Sequence, residues 1–225
     1  MSEANQIHDV PDDALAAIDY CYEQGWTDGL PVVPPETSRV EAMLAFEGRP
    51  PETIIAKHPA TGLELTIQSA AVNAVMAGCL PEYFPIVIAA FEAMEETPYN
   101  FHGSTASTGG SAPLLIVSGP IVDEINMNAG VNLFGPGNRA NATIGRAVRL
   151  IILNVFRMTP GIADKSTQGN PGKYSFNVYT SFNGQVNKIG SKFFEVERIR
   201  SGVLDNPNSD SFDDYITEIE NTYKT

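Results

Sequence analysis

Apolar residues recur every three or four positions in several stretches of the chain, which is the spacing of one helix face. Leu15, Ile18 and Tyr22 follow this spacing. They predict a helix that starts at Pro11–Asp13, ends before Gly25 and lays one face on the core. Other stretches of helical composition predict further helices over residues 37–46 (capped by Thr37 or Ser38), 68–77, 81–96, 140–156 and 212–223.

Short apolar runs bounded by turn residues predict β-strands. Residues 53–57 and 63–67 are two such runs with a turn between them, which predicts a hairpin. Pro113–Val117 is a continuous apolar run of the kind that a buried strand needs, and Gly119–Pro120 ends it. Two further strands are predicted over residues 173–182 and 193–199.

Three segments rich in proline, glycine or small polar residues interrupt these elements and are expected to be loops. Residues 26–35 contain three prolines, so they cannot be helical and are expected to form a fixed extended loop. Residues 100–112 are rich in Gly, Ser and Thr, and residues 126–138 are rich in Asn and Gly. Both are expected to be flexible connections.

Strands and helices mix along the chain without strict alternation, which favours an α/β fold of the mixed α+β kind over a doubly wound Rossmann sheet. No linker interrupts the middle of the chain, so we predict a single compact domain over residues 12–203. Residues 1–11 are polar and are expected to be disordered. Residues 204–225 are expected to form a tether and a C-terminal helix, which packs either on this domain or on a neighbouring subunit.

Composition then limits the function. The 225 residues include 14 Lys and Arg against 27 Asp and Glu, so the net charge of −13 repels the phosphate backbone of nucleic acids. The apolar runs fall far short of the roughly 20 residues that span a bilayer, so neither a nucleic acid nor a membrane is expected as a partner. Cys21 and Cys79 are too few for a disulfide framework and lack metal-ligand spacing. This composition is typical of a cytoplasmic protein, and it predicts no metal site.

Two segments contain candidate catalytic side chains. Cys79 lies between the end of one predicted helix and the start of the next, where unpaired amide groups favour a thiolate, although Glu82 opposes this effect. His102 precedes a run of hydroxyl groups that includes Ser104 and Thr105, and a loop of this composition can turn backbone N–H groups towards an anion while His102 moves a proton. Structural alternatives remain open, since Cys79 is also typical of a buried apolar position and the hydroxyl-rich stretch of a plain connection.

Residues 126–146 contain five Asn and four Gly and lead into the strongest predicted helix. Arg139 and Arg146 lie seven residues apart on one face of it, and a helix N-terminus with arginines nearby is a good place for a carboxylate or phosphate. Three asparagines are candidates to orient such an anion: Asn128, Asn132 and Asn138. A structural role is the alternative, with Asn138 as a cap and Gly145 permitting close helix packing.

Residues 164–174 are rich in turn residues and contain Asp164, Lys165 and Lys173. Charged side chains on a turn are usually solvated, so this segment alone is a weak signal. Lys173 is nevertheless a candidate ligand-binding residue, as are Trp26 and Asp28 in the proline-rich loop.

Four motifs resemble those of a poorly characterised bacterial family that is sometimes associated with selenoproteins bearing a Sec-Gly-Ser-Cys motif. The matching segments are Gly25–Pro35 (GWTDGLPVVPP), Asn73–Pro85 (NAVMAGCLPEYFP), Gly137–Ala147 (GNRANATIGRA) and Gly172–Tyr174 (GKY). The resemblance covers about residues 12–176. It implies common ancestry with that family but no particular activity.

The chain departs from the family pattern at two places. It has Ser107–Gly109 where family members carry a Thr-Thr-His type segment, and Asn177 where they carry a cysteine. The resemblance therefore does not assign a two-thiol site to Cys79. Family members also continue beyond the point where this chain turns acidic, which implies that a second polypeptide supplies the missing C-terminal half.

Together these features predict an enzyme, or an enzyme subunit, that acts on a small anionic metabolite. The expected pocket is walled by residues 26–30, 102–111 and 135–146, with Arg139 and Arg146 clamping the anion. Lyase or hydratase chemistry by His102 or Cys79 is favoured over thiol redox chemistry, because a lone cysteine is a poor redox centre. No cofactor can be named. The alternative is a non-catalytic binding or scaffolding subunit, and the chain is expected to form a homo-oligomer or to join a second subunit.

Overall fold

The computed structural model describes residues 7–10, 13–96, 99–179 and 194–199, with the backbone alone for 177–179 and 194–199. The fold is mixed α+β, as the sequence predicts. The described helices are Ala14–Glu23 (α1), Thr37–Glu47 (α2), Ile67–Ala77 (α3), Phe84–Met94 (α4), Phe101–Thr105 (α5), Ile121–Glu124 (α6) and Arg139–Asn154 (α7). The described strands are Ile54–Lys57 (β1), Glu64–Thr66 (β2), Ala112–Val117 (β3), Asn177–Tyr179 (β4) and Phe194–Ile199 (β5).

The strands form two small sheets. β1 and β2 make the predicted antiparallel hairpin, with Lys57 opposite Glu64. β3 lies at the centre of a second sheet, parallel to β4 and antiparallel to β5. This central position agrees with the apolar sequence of β3, since a strand flanked on both sides has little contact with water.

Helices α3, α4 and α7 form the centre of the core. Nearly every residue of α3 is buried because its side chains are almost all small or apolar. On α7 the apolar side chains occupy one face, which packs against α3 and α4. Phe84, Phe91 and Phe156 fill the space between the elements and are fully buried.

The proline-rich loop of residues 24–36 is fixed against two of these helices. The amide of Val33 donates to the carbonyl of Met76 in α3. The side-chain amide of Asn154 in α7 donates to the carbonyl of Trp26 and to the buried side chain of Asn73. The loop is therefore extended and anchored, as expected from its prolines.

The structure corrects the prediction for residues 100–112, which contain helix α5 in place of a flexible loop. Asn100 is left-handed, and its side-chain oxygen accepts from the amide of Gly103. The hydroxyls of Ser104 and Thr105 donate to the carbonyl of Phe101 at 3.0 and 2.8 Å. These hydroxyls bond to a backbone carbonyl of the helical turn, and the buried ring of Phe101 anchors that turn. The turn propensity of serine and threonine alone does not predict this helix.

Three smaller corrections concern element boundaries. The N-cap of α2 is Glu36, without a side-chain bond, so neither Thr37 nor Ser38 caps this helix. Helix α6 follows Pro120 and was not predicted. Residues 171–173 form a 3₁₀ turn, so the strand predicted over residues 173–182 begins only at β4. The predicted C-terminal tether and helix lie outside the described residues, as do residues 1–6 and 11 of the predicted disordered N-terminus and residue 12 at the start of the predicted domain.

Candidate functional site

A cavity of about 580 Å³ opens beside the C-terminal half of α7. Thr27 and Asp28 of the proline-rich loop form one side, and Arg149 and Leu153 of α7 form the next. Most of the remaining wall comes from residues 160–174. Its size and its mixture of apolar and convergent polar groups are those of a small-molecule site.

Three charged side chains meet at the wall of this cavity. The Nζ atom of Lys173 donates to both carboxylate oxygens of Asp164, at 2.8 and 2.6 Å. Arg149 donates to the same carboxylate at 3.2 Å. The side chains of Asp164, Arg149 and Lys173 are 5, 10 and 13% exposed. One carboxylate thus holds two largely buried cations side by side, and the cluster has a net charge of +1.

Ser166 connects this cluster to the hydroxyl-rich segment around residue 108. Its hydroxyl lies 2.6 Å from Oδ1 of Asp164 and 2.5 Å from Nζ of Lys173. It also lies 2.6 Å from the carbonyl oxygen of Gly109. The amides of Lys165 and Thr167 donate to the carbonyls of residues 107 and 108. Residues 107–109 therefore hold the cavity wall from behind by their carbonyl groups.

The electrostatics of the cluster keep Asp164 ionised. Burial raises the pKa of the Asp164 carboxyl, but hydrogen bonds from Lys173 and Ser166 and the charge of Lys173 outweigh it, so this pKa lies below its ordinary value. Burial lowers the pKa of the Arg149 guanidinium, and the charge of Asp164 only partly offsets this. A buried arginine of this kind benefits from further negative charge nearby.

Arg149 and Lys173 differ in the hydrogen bonds that they leave available. The three donors of Lys173 match its three contacts, two with Asp164 and one with Ser166. The guanidinium of Arg149 has five N–H donors, and within the described residues its single hydrogen bond goes to Asp164. Its other nitrogens are not sealed from solvent. Arg149 therefore presents unused donors beside the cavity.

Arg146, one of the two arginines expected to clamp an anion, is bound to the protein itself. Its Nε and Nη2 atoms donate to the two oxygens of Asp28 at 2.9 and 2.8 Å. Nη2 also lies 3.3 and 2.9 Å from the carbonyl oxygens of Leu30 and Pro31. The Asp28 side chain is only 3% exposed. This bidentate pair fixes the proline-rich loop, and with it one side of the cavity, against α7.

Gly145 allows the other side of the cavity to approach α7. A Cβ atom at this position would lie 2.6 Å from the hydroxyl of Ser175 and 2.9 Å from the backbone nitrogen of Phe176. The chain that follows Lys173 thus passes directly over the helix, at a distance that only glycine permits. Gly145 thus permits a close approach, as expected from the sequence, although its partner is the chain at Ser175 and Phe176 and not a second helix.

The remaining predicted binding residues do not line this cavity. Arg139 is exposed and donates to the carbonyl of Gly78 at 3.0 Å. Asn138 caps α7, while the Asn128 side chain bonds to backbone atoms of its own loop. Asn132 has a left-handed backbone and closes a turn with Gly135. The indole of Trp26 packs edge-on against His8 and Tyr20.

The two candidate catalytic residues also lie outside the wall of this cavity. Burial raises the pKa of the Cys79 thiol to about 12, against weaker opposing effects of Thr143 and Arg139. The thiol is thus protonated at neutral pH, and the structural interpretation of Cys79 is the one that its environment favours. His102 is exposed and lies edge-on to the buried ring of His58, with the centroids 5.3 Å apart. Burial, with the nearby His102, lowers the pKa of His58.

Sequence reasoning missed Arg149 and left Asp164 as a charge on a turn. Arg149 stands inside the apolar part of α7, between Val148 and Leu150, and a charge in such a run is a signal of a buried pair or a site. Its partner could not be found in this way, because Asp164 lies fifteen residues away across a turn. Asp28 and Lys173, which were predicted, do line the cavity.

Comparisons with family models, with curated proteins and with solved structures find no match to this chain. In the part of the chain that the structure describes, no helix is long and apolar enough to cross a membrane. The same residues include no group of three or more His, Cys, Asp or Glu side chains placed to hold a metal ion.

Proposed function

We propose that this protein binds a small anionic metabolite in the cavity beside Arg149. The observation that carries the proposal is the guanidinium of Arg149, which is largely buried and has unused donors where it borders the cavity. An arginine fork matches the two oxygens of a carboxylate or phosphate group. Because a buried cation is stabilised by a second anion, the site gains from such a ligand.

The charge distribution supports this proposal. The whole chain has a net charge of −13, yet the Asp164 cluster at this cavity combines two cations, Arg149 and Lys173, with one carboxylate. Asp28, the other carboxylate of the wall, is neutralised by Arg146. The local excess is one positive charge. A cationic cleft in an acidic protein concentrates anions at that place and repels them elsewhere.

We further propose that the chain is an enzyme, or an enzyme subunit, with lyase- or hydratase-like chemistry. Removing water from a substrate requires an acid that protonates the departing hydroxyl group. The ammonium of Lys173 lies at the cavity wall, where Asp164 and Ser166 hold it in place. Lys173 is therefore the candidate acid in place of His102 or Cys79, and it serves as one when one of its three N–H groups turns from Asp164 or Ser166 to the substrate hydroxyl. The same proposal includes a cytoplasmic location and membership of the family that the motifs resemble. It also includes assembly, either as a homo-oligomer or with a second subunit.

A non-catalytic binding subunit is the second candidate, and a specific observation favours it. Within the described residues the Asp164 carboxylate is occupied by two cations and the Cys79 thiol is buried with a pKa of about 12. The described part of the cavity wall thus offers an acid but no unpaired carboxylate, imidazole or thiol. Turnover of a bound ligand by the isolated chain excludes this alternative, whereas turnover only after a second polypeptide is added supports it.

The test of anion binding compares two arginines of the same helix. A library of small carboxylates and phosphates is screened by thermal shift and then by calorimetry against the wild type, Arg149→Lys and Arg139→Lys. Lysine keeps the charge but lacks the fork, so Arg149→Lys should weaken binding about tenfold, or about 1.4 kcal/mol. Arg139→Lys should leave the affinity within about twofold. Loss of binding in Arg139→Lys alone would place the site at the start of α7 and contradict the proposal.

A further inference from the structure

We infer that the ligand of this cavity is a monocarboxylate with hydroxyl groups along its chain, and not a dicarboxylate or a phosphate ester. This inference rests on the proposed function and narrows it to one class of anion. It follows from the number of charges at the cavity, from the donors that they leave unused and from the neutral polar side chains that form the rest of the wall.

The first argument is the charge balance. Three cations face two carboxylates, so a ligand with one negative charge makes the cluster neutral. A dianion would leave one excess negative charge next to the largely buried Asp164 carboxylate.

The second argument is the number of charged donors. Lys173 has committed its three donors to Asp164 and Ser166, and Arg146 is bound to Asp28 and two carbonyls. Among the described cations at this cavity, Arg149 is the one with an unused edge. One guanidinium edge matches one carboxylate by two parallel hydrogen bonds. The described wall offers no second charged group for another anionic end.

The third argument is the rest of the wall. The side chains of Thr167 and Gln168 and the side-chain NH₂ group of Asn170 line the cavity without a hydrogen-bond partner among the described residues. They are neutral and can both donate and accept, except for the donor-only NH₂ group. Groups of this kind suit hydroxyls on a ligand. With a volume of about 580 Å³, the cavity has room for a chain of six carbons.

Four probes with the same open six-carbon chain test this inference by calorimetry on the full protein: gluconate, glucarate, sorbitol 6-phosphate and sorbitol. They differ in charge while keeping similar hydroxyl groups. We expect gluconate to bind at least tenfold more tightly than each of the other three. Arg149→Lys should reduce gluconate affinity about tenfold. Arg139→Lys is the control for an arginine outside the cavity and should leave this affinity unchanged. Gln168→Ala tests the recognition of the hydroxyl groups. Gln168→Ala should weaken gluconate but not acetate.

Each other outcome overturns the inference. Tighter binding of glucarate or sorbitol 6-phosphate, equal binding of sorbitol, or no binding of any of the four rules out a hydroxylated monocarboxylate. If a dianion binds and Arg149→Lys weakens it, the anion-binding proposal stands and only the ligand class is wrong. If every affinity is unchanged in Arg149→Lys, both fall. Circular dichroism and the unfolding midpoint of each variant show that a lost affinity does not reflect a lost fold.

Discussion

The asparagine-rich loop of residues 126–138 and the turn-rich segment of residues 160–174 use their polar side chains in opposite ways. In the loop, Asn138 and Asn128 bond to backbone groups of the loop and of α7. In the turn-rich segment, Asp164 and Lys173 meet a buried arginine at a cavity. The loop looks more like a binding site in the sequence, yet Asn128 and Asn138 use their side chains locally, and the exposed Asn126 and Asn132 do not line the cavity. What distinguishes the candidate site is unused hydrogen-bonding capacity on a largely buried charged group beside a cavity, not polar composition.

The largest effect is expected from Asp164→Asn in the turn-rich segment. The change leaves Arg149 and Lys173 next to each other without their shared carboxylate. Removing one partner of a largely buried ion pair leaves the remaining charges uncompensated, so the free energy of unfolding should fall by about 3 kcal/mol. Urea unfolding at pH 7 measures it. Asp19→Asn, on the exposed side of α1, is the control and should stay within about 0.5 kcal/mol.

The same variant tests how the free energy of unfolding depends on pH. Because the pKa of folded Asp164 lies below the ordinary value of about 4, its charge contributes stability that is complete above pH 4. This contribution is lost as the pH falls through the folded pKa. The difference in unfolding free energy between wild type and Asp164→Asn should therefore shrink below pH 4. A difference that is constant down to a pH of about 2.5 contradicts this account of the cluster.

The next largest change in stability is expected from Arg146, when it is compared with Arg139, the other arginine of the predicted anion clamp. Arg146→Lys loses a bidentate bond to the buried Asp28 and contacts with two carbonyls, so it should lose about 2 kcal/mol of unfolding free energy. Arg139→Lys affects an exposed side chain with one bond to Gly78 and should lose less than about 0.5 kcal/mol. Equal small losses would mean that the Asp28 pair does not hold the loop.

A smaller effect is expected where α7 meets the turn-rich segment. Gly145→Ala gains about 1 kcal/mol of helix propensity, but its Cβ must displace the backbone at Phe176, 2.9 Å away. The net loss should be about 1 to 2 kcal/mol, together with weaker anion binding because Lys173 moves with that chain. Gly130→Ala, in a loop where the new Cβ meets nothing closer than 3.7 Å, is the control for an added methyl group without a clash. Unchanged anion binding and stability in Gly145→Ala would show that the chain at Phe176 can move away from α7 without loss of free energy.

The smallest effect belongs to the asparagine-rich loop. Asn138→Ala removes the side chain that accepts from the amide of Asn141 at 3.0 Å, and losing an N-cap costs about 1 kcal/mol. Asn138→Ser should recover most of this stability, since serine is also a good cap. Neither variant should change anion affinity, because Asn138 does not line the cavity. A loss of anion affinity in both variants would show that this loop is part of the anion-binding site.

Much of the fold could be predicted from the sequence because the signals for it are local. The apolar spacing of α7, the turn residues between β1 and β2 and the prolines of residues 26–35 each act over a few residues. Helix α5 escaped prediction because Gly, Ser and Thr are typical of turns, and the buried Phe101 that anchors the helix makes its contacts with residues far along the chain. The described C-terminal strand β5 agrees with its prediction.

The candidate site depends on contacts between distant residues, so the sequence alone could name its members only in part. The sequence by itself determined the mixed α+β class, most element boundaries and the presence of Asp28 and Lys173 among the candidates. Only the tertiary structure decided that Arg146 is used to hold Asp28, 118 residues away, while Arg149 keeps donors beside a cavity. The physical reason is that secondary structure follows short-range periodicity, whereas the partner of a charge is set by how the helices and loops pack.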